Sequence, residues 1–185
     1  MRKRDAEIAR RAAGGEPAAR EELVRTYGPV SFRCARTMGL GDHDAEDIAQ
    51  EVVVRLLGAI GRYDAERAAI GTLVYRMTIN AIHDLRAKPS RREVGASTTV
   101  FSAIPNPRSR AEAEALEFGE TRQLIVNAVR HLPQRQRQVC TLHDLEGQSI
   151  AETAAALEIT TTNVRVHLTH ARRALRQRLS HLLEG

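Results

Sequence analysis

The stretch QSIAETAAALEITTTNVRVHLTHARRALRQRL (residues 148–179) decides how the rest of the chain is read. Ser149 followed by Glu152 is a capping-box pair, in which each side chain satisfies an orphan backbone N–H at a helix start. Ile150, Ala154 and Leu157 then share one helical face. Glu158-Ile159-Thr160 breaks that period, and Thr160 predicts the N-cap of a second helix. In that helix Val164, Leu168, Ala171, Leu175, Leu179 and Leu182 span an arc of about 80° at 3.6 residues per turn. Arg165, Thr169, Arg173 and Arg176 lie opposite. No Asp or Glu occurs between Glu158 and Glu184. The pattern is a helix-turn-helix whose second helix has one side for a core and one for an anion. Arginines often merely solvate a helix face; the short turn, the small-residue first helix and the acid-free second helix together favour DNA.

The whole chain agrees. A formal net charge of +5 over 185 residues suits a polyanion partner. Aromatics are only 3%, which argues against a single-strand platform built on many stacked rings. Cys34 and Cys140 sit far apart without metal-ligand spacing and read as buried thiols of a reducing cytoplasm. The basic start, Met1-Arg-Lys-Arg, is followed by Asp5-Ala-Glu-Ile rather than an apolar run. Neither a signal peptide nor membrane insertion is expected.

Along the chain, residues 5–13 predict a short helix stopped by Gly14-Gly15. Ala18 to Tyr27 predicts a second helix, ended by Gly28-Pro29, and Val30 to Met38 a third. Asp44 to Ile60 carries the stripe Ile48, Val52, Leu56 and Ala59, with acids in its first turn. Its far face, Asp47, Gln50, Glu51, Val54 and Leu57, reads on periodicity alone as solvated surface. Gly61 to Gly71 predicts a loop, or a loop plus one turn. Thr72 to Ala87 is apolar nearly all round, with one polar stripe of Arg76, Asn80, His83 and Asp84, and belongs in the middle of a bundle. KPSRREVGASTTVFSAIPNPRSR (residues 88–110) has three prolines and no helical period, and reads as a flexible linker. Further helices lead through Leu124, Val129, Leu132, Val139 and Leu142 to Gly147. The expected fold class is all-α: two small helical domains, residues 1–87 and 112–185, joined by a flexible linker over 88–111, the second a helix-turn-helix.

Three segments carry a family resemblance: DAEDIAQEVVVRLLGAIGRYD (44–64), GTLVYRMTINAIHDLRAK (71–88) and LPQRQRQVCTLHDLEGQSIAETAAALEITTTNVRVHLTHARRAL (132–175). In this order and spacing they resemble an extracytoplasmic-function sigma factor of bacterial RNA polymerase. The resemblance implies a cytoplasmic, non-enzymatic transcription initiation factor that binds core polymerase and opens promoters. Its implied partners are the β′ clamp helices and β subunit of core RNA polymerase, double-stranded and melted promoter DNA, and an anti-sigma factor.

Carried over by position, the resemblance gives Asp47, Gln50, Glu51 and Leu57 to docking on the polymerase β′ clamp helices. The loop from Tyr63 to Ile70, with Arg76, Asn80 and His83, matches the element that captures a base flipped from the minus-ten element. Arg86, Lys88, Arg91 and Arg92 are placed to hold nearby phosphates. Arg165, Val166, Thr169 and His170 correspond to residues facing the minus-thirty-five element. Arg172, Arg173 and Arg176 correspond to phosphate contacts, which position without reading sequence. Positions 166, 167 and 170 hold Val, His and His where Ser and Arg are common in the family, which implies an unusual minus-thirty-five preference. The Trp usual before Tyr75 is absent, so melting leans on fewer rings.

Two other classes fit less well. A stand-alone helix-turn-helix regulator acting as a homodimer leaves the polymerase-docking motifs unused. A nucleic-acid-processing enzyme lacks its signatures: there is no clustered metal site, HxE…CxxC pattern or Gly-rich phosphate loop. No catalytic residue, metal or cofactor is expected. The linker composition cannot bury enough apolar surface to order itself, so limited proteolysis of the free protein should cut first between Lys88 and Arg110. Earlier cleavage within Asp44 to Ile60 would contradict the two-domain layout.

Overall fold

The computed structural model describes residues 2–87 and 124–183. The expected linker, with Lys88, Arg91 and Arg92, lies outside the described residues. Among those described the fold is all helical, without strands. Helix α1 (Arg2–Ala13) buries Ile8, Ala9 and Ala12 and ends at Gly14-Gly15. Helix α2 (Pro17–Thr37) opens with Pro17, whose missing N–H costs nothing in a first turn. Helix α3 (Asp42–Ala59) buries Ile48, Val52 and Leu56 and passes into one 3₁₀ turn (Ile60–Arg62). Helix α4 (Ile70–Ala87) buries Val74, Tyr75, Ile79 and Ile82, with Leu73, Met77 and Leu85 half-buried around them. This is the central helix that its all-round apolar character predicted.

The expected break at Gly28-Pro29 does not occur, and α2 runs straight through both residues. Pro29 removes one intrahelical bond, the one to the Arg25 carbonyl, but Arg25 and Pro29 are both on the exposed face. Water can serve that carbonyl, so the helix survives. Packing on the opposite side holds it together. Leu23 and Cys34 are fully buried, a Cβ on Gly28 would meet Val53 Cγ2 at 3.7 Å, and Ser31 Oγ lies 2.8 Å from Thr78 Oγ1 on α4. Tertiary packing here overrides two local helix breakers.

The C-terminal group comprises α5 (residues 124–130), α6 (Gln134–Cys140), a π-helical turn (Thr141–Leu145), α7 (Ile150–Leu157) and α8 (Thr161–Leu183). Its apolar side is continuous with that of the N-terminal bundle: Val139, Leu142, Ala154, Leu157, Val164 and Leu168 join the cluster formed by α1–α4. A smaller cluster of Val129, Leu132, Cys140 and Ala171 ties α5 and α6 to α8. The two helical groups therefore sit against each other in this structure.

One buried acid fixes the start of α4. No acid lies in the first turn of α4 itself, yet Asp5 of α1, 5% exposed, accepts a hydrogen bond from the Ile70 backbone N–H at 3.1 Å. The carboxylate thus satisfies an orphan donor and faces the positive end of the helix dipole, from a different helix. Asp5→Ala should cost about 1–2 kcal/mol, the usual price of a lost N-cap, and Asp5→Asn clearly less. Urea denaturation would register this as a lower midpoint with an unchanged slope.

Candidate nucleic-acid interface

The helix-turn-helix forms as its sequence dictates. Ser149 Oγ accepts from the Glu152 N–H at 3.1 Å, while Glu152 Oε2 accepts from the Ser149 N–H at 3.0 Å. Helix α7 ends at Glu158, in the left-handed conformation at φ 53°, where an L side chain is strained. Thr160 Oγ1 then accepts from the Asn163 N–H at 3.1 Å and caps α8. Val164, Leu168 and Ala171 are buried against the core, and Leu175 and Leu179 are half-buried.

Arg165, Val166, Thr169, His170, Arg173 and Arg176 are exposed together along the other side of α8. Thr169 donates its hydroxyl to the Arg165 carbonyl at 3.0 Å, which leaves its methyl as the outward chemistry. Arg172 differs. Its guanidinium donates to both carboxylate oxygens of Asp144, at 2.6 and 3.3 Å, and so braces α8 against the π-helical turn. That hydrogen bond and charge push the Arg172 guanidinium above its ordinary range.

A second surface lies on α4 and the loop before it. A cleft of about 610 Å³ is bounded by Tyr63, Arg67, Thr72, Leu73 and Arg76, and by Ala155 of α7. That volume is typical of small-ligand clefts, roughly 300–1,000 Å³. Tyr63 braces the loop by donating its hydroxyl to the Ala68 carbonyl at 2.8 Å. The structure brings Tyr63 and Arg76 into this one cleft; Asn80 and His83 continue the exposed line one and two turns further along α4. Arg86 is engaged elsewhere, donating to the Met38 carbonyl at 2.7 Å.

A third surface is the outer face of α3. Asp47, Gln50 and Glu51 are exposed there, while Leu57 is half-buried and packs against the core. Two of the acids pair along the helix, Asp47 with His43 at 3.3 Å and Glu51 with Arg55. Val54 stands among them at 69% exposure. Periodicity placed Val54 on this face without singling it out; the signal that marks it is an isolated large apolar residue between acids.

The two helical groups meet through polar contacts around Glu146. Its carboxylate accepts from the Tyr75 hydroxyl at 2.9 Å and faces Arg33 at 3.5 Å, with the Glu146 side chain 9% exposed. Burial, then the carboxylate beside it, push the Tyr75 hydroxyl well above its usual range. Thr72 donates to Gln148 Oε1 at 3.2 Å. Gln134 and Gln138 of α6 place amide nitrogens 3.2 and 3.1 Å from His83 Nε2. Cys34 and Cys140 are free and buried, as their spacing predicted. Burial raises both thiols, Cys140 to about 12, so neither offers a thiolate at neutral pH.

Comparison with known proteins finds relatives along most of the chain. Residues 23–92 match the Sigma-70 region 2 family and residues 122–175 the Sigma-70, region 4 family, together most of the chain. The RNA polymerase sigma factor NccH of Alcaligenes xylosoxydans xylosoxydans is 27% identical over 92% of each chain. The ECF RNA polymerase sigma factor SigM of Mycobacterium tuberculosis is 26% identical over 98% of this chain and 87% of that one. The ECF RNA polymerase sigma-E factor of Escherichia coli is 24% identical over 87% of this chain and 86% of its own. The structure of CnrH in complex with the cytosolic domain of CnrY shares the fold, with a TM-score of 0.68 at 22% identity over 96% of this chain and 97% of that one. Among the described residues no helix is long and apolar enough to cross a membrane. Two sigma-70 regions in sequence order, on an all-helical scaffold, settle the family: this chain belongs to the extracytoplasmic-function sigma factors of RNA polymerase, alternative sigma factors that act in transcription initiation and are not enzymes.

Proposed function

We propose that the chain binds core RNA polymerase through the outer face of α3 and directs it to promoters whose minus-thirty-five element is read by α8 and whose minus-ten strand is captured beside α4. The division of labour follows residues 1–87 and 112–185, with 88–111 as tether, and the protein works in the cytoplasm. The observation that carries this reading is the separate exposure of two DNA-suited faces, one basic on α8 and one polar beside a base-sized cleft on α4.

Each face suits its role chemically. On α3, Val54 offers an apolar anchor within the rim formed by Asp47, Gln50 and Glu51, an arrangement that favours a helical, basic partner surface such as the β′ clamp helices. At the cleft, extruding a base costs a few kcal/mol, and a shaped pocket with cationic and amide groups, Arg76 and Asn80, compensates it. On α8, Arg165 near the helix start pairs bidentately with guanine, while Val166 and the Thr169 methyl suit thymine methyls. CnrH is solved with the cytosolic domain of CnrY; by likeness of fold we assign this chain an anti-sigma factor as its protein regulator.

Replacing Asp47, Gln50 and Glu51 together with Ala should weaken binding to core polymerase while helicity is retained. Unchanged affinity in a polymerase titration, with intact circular dichroism, would remove the α3 assignment.

Arg165→Ala should cost about 1–3 kcal/mol and flatten the preference at one base pair of the minus-thirty-five element. Arg173→Ala should weaken all sequences alike and reduce the salt slope by roughly one contact. Binding selections on duplex libraries separate the two. A uniform loss with Arg165→Ala would make Arg165 a phosphate anchor and leave base reading to Val166, Thr169 and His170.

A further inference from the structure

We infer that Asp144 is a built-in competitor of DNA phosphate: it holds Arg172 off the DNA backbone and so lowers the sequence-independent affinity of α8 for duplex. The inference rests on the proposed reading of α8 as the duplex-binding helix and concerns how strongly that helix binds, not which bases it reads. It reverses the phosphate role that the family resemblance implied for Arg172.

Helical position puts Arg172 on the DNA-suited side. It follows Arg165 by seven residues, two turns less about 20° at 3.6 residues per turn, and lies between Thr169 and Arg176 along the axis. Arg165, Thr169, Arg172 and Arg176 thus form one exposed line. Helix α8 brings no acid to that line, since no Asp or Glu occurs between Glu158 and Glu184. The carboxylate that meets it comes from another element, 28 residues earlier in the chain.

Asp144 is built into place. It stands in the π-helical turn, where the Glu146 N–H reaches the Thr141 carbonyl five residues back at 3.0 Å. Turns of this kind recur at functional positions. One oxygen of Asp144 accepts from the buried Cys140 thiol at 3.7 Å and from Arg172 Nε at 3.3 Å. The other accepts from Arg172 Nη2 at 2.6 Å. The Asp144 side chain is 24% exposed, against 56% for Arg172. Most surface ion pairs contribute little, but a two-point fork on a partly covered carboxylate is the geometry that holds an arginine in one place.

Electrostatics then decides the outcome. Duplex affinity grows with each phosphate whose counterion the protein releases. Arg172 and Asp144 together carry no net charge. Drawing Arg172 onto a phosphate would leave the Asp144 carboxylate beside α8, facing the same polyanion. The pair therefore adds no counterion release, whichever oxygen the guanidinium takes. Arg173 and Arg176 supply the phosphate contacts, and a larger share of the binding falls to base edges.

The test uses the full chain and a fluorescein-labelled duplex library of random sequence, with dissociation constants read by anisotropy across a salt series. Asp144→Asn should bind more tightly than wild type. Its gain should be about 3.5-fold larger at 50 mM than at 200 mM salt, the mark of one added phosphate at a slope of about 0.9. Asp144→Asn/Arg172→Gln, which removes the pair as a unit, should keep the wild-type affinity and slope. Arg173→Ala should lower the slope by about one contact. Circular dichroism melting reports the folding of each variant. Weaker or unchanged binding by Asp144→Asn overturns the inference, because Asp144 then supports Arg172 instead of withholding it. A slope reduced by about one contact in the double variant overturns it too, since Arg172 then already holds a phosphate with Asp144 in place. That second arm decides the matter even where Asp144→Asn alone folds poorly. If Arg173→Ala leaves the slope unchanged, α8 is not the duplex-binding surface, and the reading of α8 fails together with the inference.

Discussion

The carbonyl end of α2 is where the chain is held together. Arg86 from α4 and Arg137 from α6 both donate to the Met38 carbonyl, at 2.7 and 2.9 Å, and Arg130 from α5 donates to the Arg36 carbonyl at 3.0 Å. Arg36 turns back to the Leu40 carbonyl and pairs with Asp42, the first residue of α3. A helix C-terminus carries about half a negative charge and several unpaired carbonyls, so cations there are favoured. Bonds from charged donors are also roughly twice as strong as neutral ones. Burial, and then the neighbouring arginines, lower the proton affinity of Arg130 and Arg137, but guanidinium groups hold their charge under such pressure where lysines would not. Gly39 makes the arrangement possible. Its φ of +94° turns the chain away from the helix end, and a Cβ there would lie 3.3 Å from the Arg137 guanidinium.

Helices α3, α4, α5 and α6 all take their positions from this junction, so the core that buries Leu23, Val52, Leu56 and Ile82 and the polar seam around Glu146 are coupled. The apolar part is large and non-directional, and runs from the N-terminal bundle into the C-terminal group through Val139, Leu142, Leu157 and Leu168. The directional part decides where the C-terminal group sits. Fully burying each large side chain contributes about 1.5–3 kcal/mol, whereas a net hydrogen bond contributes about 0.5–1.5 kcal/mol. The apolar packing therefore supplies most of the adhesion between the groups, and the few hydrogen bonds fix their register.

What was legible in the sequence follows from range. The capping box at Ser149, the Thr160 cap and the buried stripe of α8 are set within a few residues, and each forms as its pattern dictates. The faces of α3 and α4 were legible too, since periodicity alone decides which side of a helix is polar. The continuity of α2 was not, because Gly28-Pro29 is a local stop signal and the packing of Ser31 and Cys34 that overrides it is tertiary. Glu158 gave no warning of its left-handed backbone, for a residue other than Gly or Asn rarely takes it. Least legible was the seam: Tyr75 and Glu146 are 71 residues apart, and Arg137 and Met38 99 apart. Neither sign nor spacing pairs groups at that distance.

The arginines show why composition overstates the charge available to a nucleic acid. The formal excess of +5 first suggested a polyanion partner, yet Arg36, Arg86, Arg130 and Arg137 spend their donors on backbone carbonyls, and Arg172 is neutralised by Asp144. Arg76, Arg165, Arg173 and Arg176 are instead exposed on the faces assigned to DNA. Affinity for a duplex follows the number of phosphates neutralised rather than the net charge, so the few arginines on α8 carry the electrostatics there.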